Sequence, residues 1–250
     1  MERKSHIVVT ILVGCFLLIS SSAFSQAEYT DRLYEAYARG KMDVWYEIMT
    51  DVELKGNKTS VQNKFELIEL YYGYTGWLIS VEKNDLAESY IEKSEIILEE
   101  ILDKDPSNPT AMAFQGAFIA FEISLSNLKA IYLGRTSMGL IEDALEKDVN
   151  NVQANIEFAN ANYYSPEAFG GDKEMAIEYY KKAAAQMEKS GLVYKNWMYL
   201  NVMTTLGMAY EAIDQIQKAK LCYEKILLVK PNFMWVGEEL LPDMIKRHNL

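Results

Sequence analysis

Met203-x-x-Leu206-Gly207-x-x-Tyr210, followed by Ala219-x-x-x-Tyr223 and closed by Pro231, is the stretch whose reading decides the fold. Leu206 and Tyr210 share a helix face, because residues four apart stack on a helix. Gly207 sits beside them and carries no side chain, so a second helix can approach closely there. Ala219 offers a small contact on the returning helix, and Tyr223 lies one turn further on. Pro231 has no backbone N–H and cannot continue that helix. The order of sizes therefore predicts a helical hairpin with a closed end.

Outward from this unit, apolar residues recur at spacings of three and four, and no convincing strand pattern appears. Tyr29 to Arg39 and Lys41 to Glu53 read as short helices separated by Gly40. Ser60 is suited to cap a long helix reaching about Val81, and Lys83-Asn84-Asp85 is a turn. Ala87, Tyr90, Ile91, Ser94, Ile97, Leu98 and Ile101 form a helical stripe. Asn108 and Pro109 suit the cap and first position of the next helix, which should run to about Ile131 and break at Gly134. Ser165 to Asp172 is a long connection, with Asp172 as the next cap. Pro242 should kink or shorten the last helix.

The helix endings at Pro106, Val149 and Pro231 lie 43 and 82 residues apart, so the repeating unit is near 41 to 43 residues. The expected class is all-α: a right-handed α-solenoid of about five hairpins plus a C-terminal capping helix. The hairpins fall at about 29–54, 61–106, 109–149, 151–188 and 194–231, and the cap at 232–247. Residues 1–25 read as a secretory signal peptide, and 26–250 as the superhelical domain. The signal rests on Arg3 and Lys4, the apolar run Ile7–Ile19 and the small residues at Ala23-Phe24-Ser25. That run is shorter than the roughly 20 residues a spanning helix needs. Cleavage near Ser25 would leave no membrane insertion. A lipid anchor at Cys15, within Leu12-Val13-Gly14-Cys15, is the other outcome. The expected location is the periplasm or outer envelope of a Gram-negative bacterium.

The formal charge of −11 over 250 residues disfavours nucleic acid, whose phosphates need Lys and Arg. It disfavours anionic membrane surfaces for the same reason. Only two histidines occur, His6 and His248, so a histidine triad or a histidine-rich metal site is excluded. No phosphate-cradling glycine loop or dinucleotide fingerprint is present. No cofactor and no catalysis are expected. Carboxylates line helices as solvated faces, and Cys222 falls on an apolar stripe as an inert thiol.

The pattern from Met203 to Pro231 resembles the tetratricopeptide repeat family, and the earlier hairpins carry it in part. Tyr163-Tyr164-Ser165-Pro166, Phe169-Gly170-Gly171-Asp172 and Ala176 are similar to secreted repeat proteins common in Bacteroidetes. They are more distantly similar to the periplasmic helical subunit associated with TRAP transporters. The family resemblance implies a superhelix whose first helices line a concave groove used to bind peptides or proteins. Groove candidates are Tyr74 and Trp77, Asn160, Tyr163 and Tyr164, and Asn201, Thr204 and Glu211. For the aromatic residues the other reading is core packing, and for the polar ones capping or solvated surface. The function expected is a non-catalytic scaffold for a protein or peptide partner. The alternative is a small-ligand-binding or transport-accessory periplasmic protein, which would need an enclosed cavity.

Overall fold

The computed structural model describes residues 29–126 and 128–249. The expected signal peptide, its cleavage site and Cys15 lie outside the described residues. Residues 29–38 are helical and form α1. They are followed by α2 (Met42–Lys55), α3 (Val61–Ser80), α4 (Asn84–Leu102), α5 (Pro109–Leu125) and α6 (Ala130–Lys147). Then come α7 (Val152–Tyr164), α8 (Lys173–Lys189), α9 (Trp197–Ala212), α10 (Ile216–Val229) and α11 (Leu241–His248). A short 3₁₀ turn occupies Glu167–Phe169, and a π-helical turn Trp235–Leu240. No strand occurs among the described residues. None of their helices is long and apolar enough to cross a membrane.

Successive helices pair as antiparallel hairpins: α3 with α4, α5 with α6, α7 with α8, α9 with α10. Each hairpin stacks on the next through contacts such as α4 with α5 and α8 with α9. The protein is thus an all-α solenoid. The helix starts follow their cap chemistry. Ser60, Asn108, Asn151, Asp172 and Asn196 each accept a hydrogen bond from a backbone N–H three residues on.

Three hairpin turns share one backbone geometry. Gly40, Glu82 and Asp214 each adopt a left-handed conformation, with φ of 63°, 59° and 61°. In each, the following N–H reaches back five residues: Lys41 to the Ala36 carbonyl, Lys83 to Leu78, Gln215 to Tyr210. This is the helix-ending motif in which two orphan carbonyls are satisfied at once. The repeat is therefore written in the turns even where side chains have diverged.

The α5–α6 break differs from the expectation. It falls at Ser126–Lys129, and Gly134 lies inside α6 with open space where its Cβ would be. Gly116 sets this hairpin instead. A Cβ there would come within 2.7 Å of Ile141 and 2.9 Å of the Ser137 carbonyl. Ser137 donates its hydroxyl to the Gly116 carbonyl at 2.8 Å. Close helix approach, not glycine as a breaker, fixes the register. Pro242 does not shorten the last helix, which runs unbroken through 234–248. It sits at the second position of α11, just after the π-helical turn, whose wider winding accommodates the carbonyl that Pro242 cannot satisfy.

The array curls until its ends meet. Trp45 of α2 packs edge-on against Trp197 of α9, ring centroids 5.0 Å apart, and Tyr37 of α1 lies 5.4 Å from Trp197. Lys195 pairs with Asp31 at 2.7 Å, and Lys230 pairs with Glu35 beneath the ring of Tyr34. One apolar cluster consequently runs from Leu33 to Met244. Aromatic residues of α1, α2 and α9 fill the space where the two ends meet.

Candidate functional site

Helix α7 carries Gln153, Glu157, Asn160 and Tyr164 at spacings of four, three and four. That spacing lays them along one stripe. Polar side chains on a packed helix face need hydrogen-bond partners. The stripe faces Tyr72 from α3 and Tyr180 from α8. Asn160 donates to the Tyr72 hydroxyl at 3.1 Å and to the Glu157 carboxylate at 3.1 Å. Tyr180 donates its hydroxyl to the Asn160 carbonyl oxygen at 2.6 Å. Gln153 donates to the other Glu157 oxygen at 2.6 Å. Three hairpin helices are thus joined through the side chain of one asparagine.

Glu157 is 4% exposed. Burial pushes its carboxyl up to about 7, although the donors Asn160, Tyr72 and Gln153 pull the other way. Burial followed by the nearby Glu157 charge holds Tyr72 well above its usual range. Tyr180 is raised in the same sense by burial, then by Tyr164 and Glu157.

Tyr164 closes the stripe and is 67% exposed. Its ring stands edge-on to Tyr163 at 4.8 Å. Partial desolvation of its hydroxyl, then Tyr163 and Glu157, push that hydroxyl up to about 12, although most of the side chain's surface stays open to solvent. A second bridge lies alongside, where Asn201 of α9 donates to the Tyr37 hydroxyl of α1 at 3.0 Å. One asparagine bridge thus joins α3, α7 and α8 and another joins α1 and α9, while Tyr164 is the exposed end of the α7 stripe. The exposed side chain of Tyr164 offers a partner both an apolar ring and a hydroxyl.

The expected groove residues divide. Asn160, Tyr163, Tyr164 and Asn201 come together here. Thr204 does not: it is 0% exposed and donates its hydroxyl to the Leu200 carbonyl within its own helix. Tyr74 is buried among Tyr46, Trp77 and Tyr90, so it is core. Trp77 is half-buried under the Lys83 ammonium, 5.3 Å from the ring centroid. Glu211 pairs with Arg247 at 2.7 Å and lies 3.4 Å from His248 Nε2, which ties the terminal helix to α9. Gln153, Glu157, Tyr37 and Tyr180 escaped the sequence reading. The signal for the first two was on the page, in the polar stripe of α7. Tyr37 gave none, since only the curl of the array brings it in, and Tyr180 arrives through the α7–α8 hairpin.

The Ser165–Asp172 connection positions the end of this stripe. Gly170 is left-handed at φ 91°, and a Cβ at Gly171 would strike the Ser165 carbonyl at 1.9 Å. Asp172 N–H bonds the Asn162 carbonyl at 3.0 Å, which folds the loop back over the helix that ends in Tyr164. Two open recesses, of about 390 and 130 Å³, adjoin α1. The larger is lined by Asp31, Arg32, Arg39 and Lys41, and neither includes a member of the α7 stripe.

Hairpins stacked into one apolar core, with shared turn geometry and a polar stripe on a first helix, define an all-α helical-repeat protein. Residues 200–233 match the family profile described as Tetratricopeptide repeat. The match covers most of α9, all of α10 and the turn after it. No curated protein matches the chain. Repeats of this family generally mediate protein–protein interaction and are typically non-catalytic scaffolds.

Proposed function

We propose that the protein is a non-catalytic scaffold that holds a protein or peptide partner at the Tyr164 end of the α7 stripe. The observation that carries this reading is the exposure of Tyr164 at the end of a stripe whose other members are bonded within the chain. An exposed aromatic ring backed by fixed polar groups is the usual form of a binding anchor. Asn160 and Asn201 contribute by holding those groups in place, since their amides are engaged within the chain.

The setting proposed is the cell envelope, on the strength of the N-terminal pattern of charge, apolar run and small residues. Sequencing the mature N-terminus from an envelope fraction tests it; an intact Met1 in a soluble cytoplasmic pool would end it. The binding site is tested by crosslinked pull-down with the tagged full chain. Tyr164→Ala should lose the partner while circular dichroism stays unchanged. Full retention of the partner by that variant would remove this site from the proposal.

A further inference from the structure

Helix α6 is apolar on two faces over its first half. Ser137 and Ile141 turn inward and are buried against Gly116 of α5. The outer side of the same turns carries Leu128, Ile131, Tyr132 and Arg135. The chain winds helically from Lys129, whose carbonyl accepts from the N–H groups of Tyr132 and Leu133. Residues at these spacings therefore share one face. That face is bare: Leu128 is 75% exposed, Ile131 84% and Tyr132 62%. Further along the helix the exposed positions become Glu142, Asp143 and Glu146, an ordinary solvated face. Large apolar side chains gathered on a surface mark a site of interaction. Exposures this high leave no walls around them, so the patch is a projection at the end of the α5–α6 hairpin and not a groove.

The local charge selects what covers it. In a chain of net charge −11, residues 123–141 contain no acid, and Lys129 and Arg135 are their only charged side chains. Glu122 pairs with Lys129 at 3.7 Å. Arg135 is exposed and has no ion-pair partner among the described residues. The acids of α6 begin at Glu142, about 16 Å along the helix from Ile131. That is beyond the screening length of about 8 Å at physiological salt, so the molecule's overall negative charge is weak at this tip. We propose that the start of α6 docks on a lipid surface bearing anionic headgroups. Leu128 and Ile131 enter the acyl boundary, Tyr132 lies at headgroup level and Arg135 meets the phosphates. The docking is peripheral, since no helix among the described residues is long and apolar enough to span a membrane. It uses a different helix from Tyr164 and does not depend on the scaffold reading.

The test is hydrogen exchange of the full chain with and without vesicles, read at 128–136, which separates this face from the N-terminal apolar run. One vesicle is phosphatidylcholine alone, and the other contains about 30% phosphatidylglycerol. The expected result is about fivefold slower exchange at 128–136 on the anionic vesicles, with a smaller effect on the neutral ones. Leu128→Ser with Ile131→Ser should abolish that protection. Both side chains are exposed, so circular dichroism should not change. Arg135→Gln should remove only the preference for anionic lipid. Leu228→Ser, an equally bare leucine on α10, should leave the protection intact. Unchanged exchange at 128–136 on both vesicles would overturn the proposal. So would equal protection by both, which would deny the charge selection. Protection that grows with protein concentration in the absence of lipid would overturn it in favour of a second copy of the chain.

Discussion

The Cβ that Gly207 lacks would fall 2.5 Å from Cε1 of Tyr223, and 2.9 and 3.0 Å from two further ring atoms. This contact fixes how closely α9 and α10 pack. Tyr223 is fully buried and cannot swing away. Gly207→Ala should therefore destabilise the protein by about 1–2 kcal/mol, the overpacking cost outweighing the helix propensity gained. Gly139→Ala in α6 is the matched control, since nothing lies within 4 Å of its missing Cβ. It should stabilise by about 0.5–1 kcal/mol. Urea unfolding of both variants checks the pair, and a stabilised Gly207→Ala would refute the close-packing account.

Glu82 and Asp214 hold left-handed backbone at turns where Gly40 does so without a side chain. Glu82→Gly and Asp214→Gly should each raise stability by up to about 1 kcal/mol, because the strain removed exceeds the chain entropy added. Gly40→Ala should lower it by a similar amount. Thermal melts of the three variants give the signs directly.

Glu157 makes stability depend on pH. Burial raises its carboxyl to about 7 in the folded protein, against roughly 4.3 in the unfolded chain. The folded state holds the proton more tightly, so this contribution is fully present below the unfolded value. It is lost as the pH climbs to 7. Between pH 4 and pH 8 it should lower stability by about 3 kcal/mol. Glu157→Gln should flatten the profile over that range. Unfolding measured at four pH values decides it, and parallel curves for the two proteins would exclude Glu157 as the cause.

Trp197 joins the two ends of the array through Tyr37 and Trp45, with Asn201 and Tyr37 bonded beside it. Trp197→Ala should cost about 3–5 kcal/mol and loosen the first hairpin before the rest. Hydrogen exchange should accelerate in 29–38 and 42–55 while α4 to α8 keep their protection. Uniform acceleration along the whole chain would show that the closure is not a separate unit.

Asn160→Ala removes the link among α3, α7 and α8, leaving the Tyr180 hydroxyl and a Glu157 oxygen without their partner. A loss of about 1–3 kcal/mol is expected. Partner capture should fall only as far as the α7 stripe loses its shape. Comparing capture below the melting point with that of Tyr164→Ala separates positioning from contact.

What the sequence determined by itself was local. The apolar spacing called for helices, Ser60, Asn108 and Asp172 called for their starts, and Gly207 with Tyr223 called for a close hairpin. Each depends on residues within one unit, so periodicity and size suffice to read it. The misplaced break at Gly134 has the same origin. A glycine is a breaker or a helix residue according to what packs on it, and the decisive contact lay at Gly116 instead. Only the tertiary structure decided the site. Asn160 meets Tyr72 across 88 residues, and Asn201 meets Tyr37 across 164. Those meetings depend on small rotations added from one hairpin to the next, which no single stretch encodes. Packing between neighbouring helices likewise buried Tyr74 and Thr204 and left Tyr164 exposed, although all three are polar residues on helices.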